Sequence, residues 1–175
     1  LEPIELQDKV LTVRDVLGVE NGFPKIPAGY QDESDYMHSC AGLSEINLQR
    51  LKLIPKDGGN RSAFADRPDL QLKCFIGKDD SFRDTFGRLW WDRPAPTITT
   101  KFFSISNGRF VHPEEDRALS LREGATLQSF PKTYVFKAIG RDKIARLIGN
   151  AVPPKYAEQI GKVIVNNAYR TKYGE

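Results

Sequence analysis

The chain has 175 residues, enough for one domain or a small lobe plus part of another. With 39% hydrophobic residues, including 10 Phe, 6 Tyr and 2 Trp, it can bury a real core. No run approaches 18 apolar residues and no signal-peptide pattern is read, so a membrane span is excluded and a cytoplasmic location is expected. Cys40 and Cys74, with only His38 and His112 to help, give no disulfide framework and no metal-ligand spacing. The net charge of +3 is uneven. Residues 1–49 carry 3 Lys/Arg against 9 Asp/Glu, whereas residues 50–175 carry 23 against 14, a net +9. A basic body of this kind suits an anionic partner such as DNA, or is simply a solvated surface.

In chain order, Thr12 caps a predicted short helix with Asp15 at its third position, Val13, Val16 and Leu17 facing inward and Gly18 as its end. Residues 21–43, rich in Gly, Pro, Ser, Asp and Tyr, read as a long loop. Ser44 caps a second helix, with Leu48 and Leu51 on one face, which Pro55 stops. A turn at KDGGNR (56–61) and another at DRPD (66–69) precede a candidate strand, LKCFIG (72–77). RLWWDRPAP (88–96) is stiff and aromatic. TITTKFFSI (97–105) is rich in β-branched and aromatic residues and reads as a strand, with Asn107-Gly108 as hairpin turn and RFV as the return. Ser120 and Glu123 form a capping box on a helix that ends before Pro131. Ile144, Leu147 and Ile148 share one face of a helix ended by Gly149. After Pro153-Pro154 a last helix sets Tyr156, Ile160, Val163, Ile164 and Asn167 on one stripe.

Two blocks bear most on function: HPEEDRALSLREGATLQSFP (112–131) and GNAVPP (149–154). In the second, small residues let a ligand approach the backbone, and the Asn150 amide can both donate and accept. Alone, a tight corner between two helices is the simpler reading. In the first, Arg117 precedes a capped helix and Arg122 sits in its first turn, where the helix dipole disfavours a cation. A salt bridge to another loop or a bound phosphate would favour it; otherwise this is an amphipathic helix packing Leu121, Ala125 and Leu127.

Together the blocks resemble the last two sequence blocks of the DNA cytosine-5 methyltransferases. Arg117, Ser120, Arg122-Glu123, Ala125, Leu127-Gln128 and Phe130-Pro131 match the first, and Gly149 to Val152 the second, at the family's order and spacing. PAPTITT (94–100) resembles the end of the family's target recognition domain. GGN (58–60) and the TVRDVL start also resemble its second half. Gly124 stands where Ala or Cys is more usual, with no evident consequence.

The resemblance implies an α+β fold: a small, irregular β-rich target recognition lobe over residues 1–111, then helices over 112–175 that complete a Rossmann-like catalytic domain. It implies that Asn150, Ala151 and Val152 contact S-adenosylmethionine and that Arg117 and Arg122 are structural. It also implies that Thr97 and Thr99 touch the DNA backbone, with Asn60, Arg61 and Lys101 on groove-reading loops. No catalytic residue is expected within the chain. The family's Pro-Cys-Gln block is missing, since Cys40 lies in Ser-Cys-Ala and Cys74 in Lys-Cys-Phe. No Glu-Asn-Val block is found either; Glu20-Asn21 runs into Gly22-Phe23. The expected partners are double-stranded DNA and the N-terminal catalytic part, in cis or as a separate subunit. The isolated chain is expected to be inactive, and either to self-associate through the apolar stripe of its last helix or to pack that stripe on its own lobe. A stand-alone DNA-binding module, a specificity subunit of a split methyltransferase and a purely stabilising interaction subunit remain alternatives.

Overall fold

Ser120 and Glu123 set the firmest local structure. Ser120 Oγ accepts the Glu123 N–H at 3.1 Å, and Glu123 Oε2 accepts the Ser120 N–H at 2.7 Å. This reciprocal cap satisfies two of the free donors that every helix start leaves. The computed structural model describes residues 9–33, 36–78 and 81–173. Among them are four α-helices: α1 (Glu45–Leu53), α2 (Leu121–Leu127), α3 (Arg141–Asn150) and α4 (Pro154–Tyr173). Short 3-10 turns occupy Val19–Asn21, Tyr36–His38, Arg61–Phe64 and Lys73–Phe75.

The expected β-rich lobe is not formed. Among the described residues the only β pairing is two isolated bridges, Arg88 with Val111 and Val111 with Ala118. The fold is helical and irregular, so the α+β expectation is corrected. In 97–105, Ile98, Phe102 and Ile105 are the buried positions. They lie four and three residues apart, the spacing of turns rather than the period of two that a half-buried strand needs. Backbone bonds from Phe102 N–H to Thr99 C=O (3.3 Å) and Ser104 N–H to Lys101 C=O (3.0 Å) close those turns. Tertiary burial of three large side chains has overridden β propensity. Asn107-Gly108 therefore joins no hairpin: the RFV segment bonds instead to residues 87–89 and 117–119. LKCFIG forms a 3-10 turn, and TVRDVL makes a single turn in which Asp15 Oδ2 accepts from Thr12 N–H and Oγ1, both at 2.8 Å.

Without sheet ladders, many buried carbonyls need other donors. Arginines supply them. Arg88, fully buried, donates to the carbonyls of Leu51 (2.8 Å), Ile54 (3.2 Å), His112 (3.0 Å) and Glu115 (2.8 Å), and also to Asp116. Arg109 reaches the carbonyls of Gly58 (2.9 Å) and Arg88 (2.8 Å), ion-pairs with Asp84, and stacks 3.9 Å over Trp90. Gly58, at φ 99°, lies so close to Trp90 that a Cβ would come within 1.8 Å of the indole.

Among the described residues two apolar clusters fill the interior. The larger draws on both sides of residues 111–112, from Val13 and Leu17 through Phe102 to Leu121, Ile144 and Ile148. The smaller gathers Leu51, Ile54, Phe64, Leu70, Phe86, Ile105, Val111 and Ala118. Gly124 belongs to the first: a Cβ there would lie 2.1 Å from the Phe102 ring, so the missing side chain is what admits that ring. α2 packs on α3, whereas α4 packs on no other helix among the described residues. Tyr156, Ile164 and Val165 on α4 are more than half exposed, while Ile160 and Val163 are half-buried. No described helix is long and apolar enough to cross a membrane.

Candidate functional site

Three sequence blocks meet at one place. α3 ends where Gly149 touches the peptide between Thr99 and Thr100; a Cβ on it would sit 2.4 Å from Thr100 N. Gln128, at the end of α2, sends its Nε2 to the carbonyls of Ala151 (2.9 Å) and Ile148 (3.4 Å). Ser129 Oγ accepts the Lys155 N–H at 3.2 Å, at the start of α4. Between them opens a cleft of about 690 Å³, walled by residues 94–98, residues 126–132, Pro153 and Lys155, with Leu11, Thr12, Asp15, Val16 and Asn21 at its far side.

A buried ionic network stands at the start of α2. The Arg117 guanidinium and the Glu123 carboxylate are both fully buried and pair in two bonds, 2.7 and 2.8 Å. Arg117 also holds Glu115 at 3.0 Å and the Ile26 carbonyl at 3.2 Å. Burial alone would raise the Glu123 carboxyl; the Arg117 charge outweighs it and holds the group well below the usual carboxylate range. Burial would likewise lower Arg117, and Glu123 reverses that. His112 stands beside them with Nε2 3.2 Å from Glu115 Oε1. Its Nδ1 accepts the N–H groups of Glu114 (3.2 Å) and Glu115 (3.1 Å). Burial first, and Arg117 second, push its pKa down to about 4, so the ring is neutral at pH 7.

The residues singled out from sequence fall into three settings. Thr97 lines the cleft, and Thr99 and Lys101 are exposed beside it. Thr99 Oγ1 accepts from Lys101 N–H at 3.3 Å, and Lys101 Nζ reaches Asp142 on α3 at 2.7 Å. Asn150 is exposed, Ala151 is half-buried and Val152 is 58% exposed. Asn150 and Ala151 border a second open cleft of about 620 Å³ with Ala138, Leu147, Lys137, Lys143 and Arg146. Asn60 and Arg61 lie apart from both clefts. Asn60 Oδ1 caps a 3-10 turn by accepting Ser62 N–H at 2.9 Å. Arg61 is buried, stacks 4.5 Å over Phe75, and donates to the carbonyls of Lys78, Ser81 and Phe82.

Arg122 is buried and donates to the Tyr134 carbonyl at 2.9 Å, which ties α2 to the segment after Pro131. Sequence reasoning passed over Gln128 and Ser129. Gln128 stood in a quoted block without a role, and nothing in sequence marks the left-handed backbone of Ser129 at φ 67°. Neither cysteine lines either of these two clefts. Cys40 is buried with Sγ donating to the Pro27 carbonyl at 3.2 Å, and burial pushes its thiol up, away from the thiolate a nucleophile needs. Cys74 is exposed on a 3-10 turn.

Comparison with known proteins places these residues in a family. The family model for C-5 cytosine-specific DNA methylases matches residues 37–166. The type II methylase M.HgiDII of Herpetosiphon aurantiacus is 40% identical over 169 residues, which cover 94% of this chain and 46% of that protein. The type II methyltransferase M1.BsuMI of Bacillus subtilis (strain 168) is 43% identical over 121 residues, covering 69% of this chain and 27% of that protein. DNA (cytosine-5)-methyltransferase 3 of Arabidopsis thaliana is 34% identical over 174 residues, covering 87% and 12%. The chain thus spans less than half the length of these relatives. With the matched blocks meeting at one cleft, it is a member of the C-5 cytosine-specific DNA methylase family.

Proposed function

We propose that the chain is the DNA-recognition and C-terminal part of a cytosine-5 methyltransferase. Residues 1–111 would face the duplex, and residues 112–175 would complete the catalytic domain. The division is one of role rather than packing, because the larger core cluster crosses it. One observation carries the reading: Gly149 seats the GNAV block directly on the Thr99–Thr100 peptide, so the residues assigned to cofactor and to DNA share one edge.

In this reading Thr97, Thr99 and Lys101 contact the phosphate backbone near a flipped cytosine. Asn60 serves the loop by capping it, and Arg61 by bracing it from below. Arg117 and Arg122 hold the frame. Cytosine methylation at C5 needs a thiolate to attack C6 and a carboxyl group to engage N3. Cys40 is buried and Cys74 lines neither cleft, so those groups would come from a Pro-Cys-Gln and a Glu-Asn-Val block outside this chain, in cis or on a second subunit.

The residues around Asn150 fit one side of an S-adenosylmethionine site. Ala138, Leu147 and Ala151 offer apolar surface, Lys137, Lys143 and Arg146 suit a carboxylate, and the exposed Asn150 amide can donate and accept. When bound, the cofactor supplies an electrophilic methyl group. Asn150, Ala151 and Val152 would hold and orient it. The exposed side chains of Tyr156, Ile164 and Val165 would receive the remaining polypeptide, or in the isolated chain a second copy.

The test is methyl transfer from labelled S-adenosylmethionine to mixed-sequence duplex DNA. The chain alone should yield no methylcytosine. Adding the polypeptide that carries the Pro-Cys-Gln block should restore it. Methylcytosine formed by the chain alone would overturn the proposal.

A further inference from the structure

We infer that Gln128 is a positioning residue: its amide fixes the turn that carries Asn150 and Val152, and so sets the affinity for the cofactor. The inference rests on the cofactor edge proposed above. A helix end leaves its last carbonyls without intrahelical partners. At the end of α3, the carbonyls of Ile148 and Ala151 both accept from Gln128 Nε2, at 3.4 and 2.9 Å. Gln128 is 8% exposed, so water cannot replace it freely. One NH2 group can serve two acceptors; a carboxylate or a thioether of the same length offers no N–H at all.

The neighbouring residue grips the other side. Ser129 Oγ takes the Lys155 N–H, a free donor in the first turn of α4. Ser129 holds a left-handed backbone to do so, at φ 67°, a conformation that costs a residue with a Cβ about 1 kcal/mol or more. Residues 128 and 129 thus clamp the turn from both helices, while Gly149 is pressed on the Thr99–Thr100 peptide from the third side. Gln128 does not line the second cleft beside Asn150. Its effect passes through the turn.

The experiment compares Gln128→Met and Gln128→Glu with Leu121→Val, a packing control on the same helix that lines neither cleft, and with Asn150→Ala. Calorimetry measures S-adenosylhomocysteine binding to the chain joined with its complementary polypeptide, alongside kcat, KM for S-adenosylmethionine and Tm. Hydrogen exchange at the Ala151 amide, which bonds Ile148 C=O at 3.2 Å, reports on the turn itself. Both Gln128 variants should speed that exchange and weaken S-adenosylhomocysteine about tenfold, the size of one lost buried hydrogen bond, with kcat at saturation little changed. Leu121→Val should lower Tm and leave both untouched. Unchanged exchange and affinity in the Gln128 variants would overturn the inference, as would affinity, kcat and Tm falling together. If the Gln128 variants speed exchange but neither they nor Asn150→Ala alter S-adenosylhomocysteine binding, the cofactor edge itself is misplaced. If Asn150→Ala weakens binding and the Gln128 variants do not, the edge stands and the positioning role fails.

Discussion

Gly149 and Thr99 are in backbone contact: a Cβ on Gly149 would lie 2.4 Å from the Thr99 carbonyl carbon and 2.6 Å from its oxygen. Both neighbours are main chain, so neither can swing aside. The glycine is there for proximity, because its φ is not in the left-handed region. Gly149→Ala should therefore cost about 1–3 kcal/mol, the usual penalty of overpacking. Gly161 gives the contrast. It lies within α4 with nothing inside 4 Å of its Cβ position. Gly161→Ala should be neutral or stabilise by up to about 1 kcal/mol through helix propensity alone. Urea denaturation of the two variants checks the pair. Equal effects would mean that α3 does not press on residues 99–100.

His112 makes stability pH-dependent below neutrality. Its folded pKa is about 4, against 6.5 for an ordinary histidine. Between those values the unfolded chain binds the proton and the folded one does not, so stability falls as pH drops from about 6.5 towards 4 and then levels. A proton on Nδ1 would also face the Glu114 and Glu115 N–H groups. The loss at the lower end is on the order of 3 kcal/mol. Glu123, held low by Arg117 after burial is overcome, acts in a more acidic window: its contribution is present above the ordinary glutamate pKa and is lost as pH falls through its depressed folded value. Unfolding free energies across pH 7 to 4 should slope for the parent chain and flatten for His112→Gln. An equal slope in both would assign the acid sensitivity elsewhere.

What could be read in the sequence was whatever rests on local chemistry. The Ser120–Glu123 box, the limits of α1 at Ser44 (which sits at the N-cap without a side-chain capping bond) and before Pro55, and the end of α2 before Pro131 each depend on neighbours within a few residues. The strand at 97–105 was misread because its β-branched residues report propensity, whereas Phe102 is placed by Gly124 more than twenty residues away. Gly124 looked like a harmless departure for the same reason. Arg88 and Arg109 carried no signal at all, since their carbonyl partners are scattered from Leu51 to Glu115 and become a set only when the chain folds. At the site, the blocks themselves were legible. That Gln128 and Ser129 bind the two ends of the GNAVPP turn was not, because it needs distances between helices.

Arg61 and Lys101, paired in the sequence as groove readers, should now separate by experiment. Arg61 is 5% exposed, its guanidinium is shared among the Lys78, Ser81 and Phe82 carbonyls, and it covers the Phe75 ring. Removing it takes away the donor that ties residues 78–82 to the turn and uncovers Phe75, so Arg61→Ala should destabilise the chain first and affect DNA only through that loss. Lys101 is exposed, and its contact with Asp142 is a surface pair of little worth to stability. A duplex phosphate can compete for it. Lys101→Ala should leave Tm within error, weaken all sequences alike, and lower the salt slope of DNA binding by about one unit. Titrations against several duplexes at two salt concentrations, with Tm in parallel, decide the matter. A Lys101→Ala protein that binds like the parent, beside a fully folded Arg61→Ala protein with altered sequence preference, would move the DNA face from the 97–101 turns to the loop around residue 61.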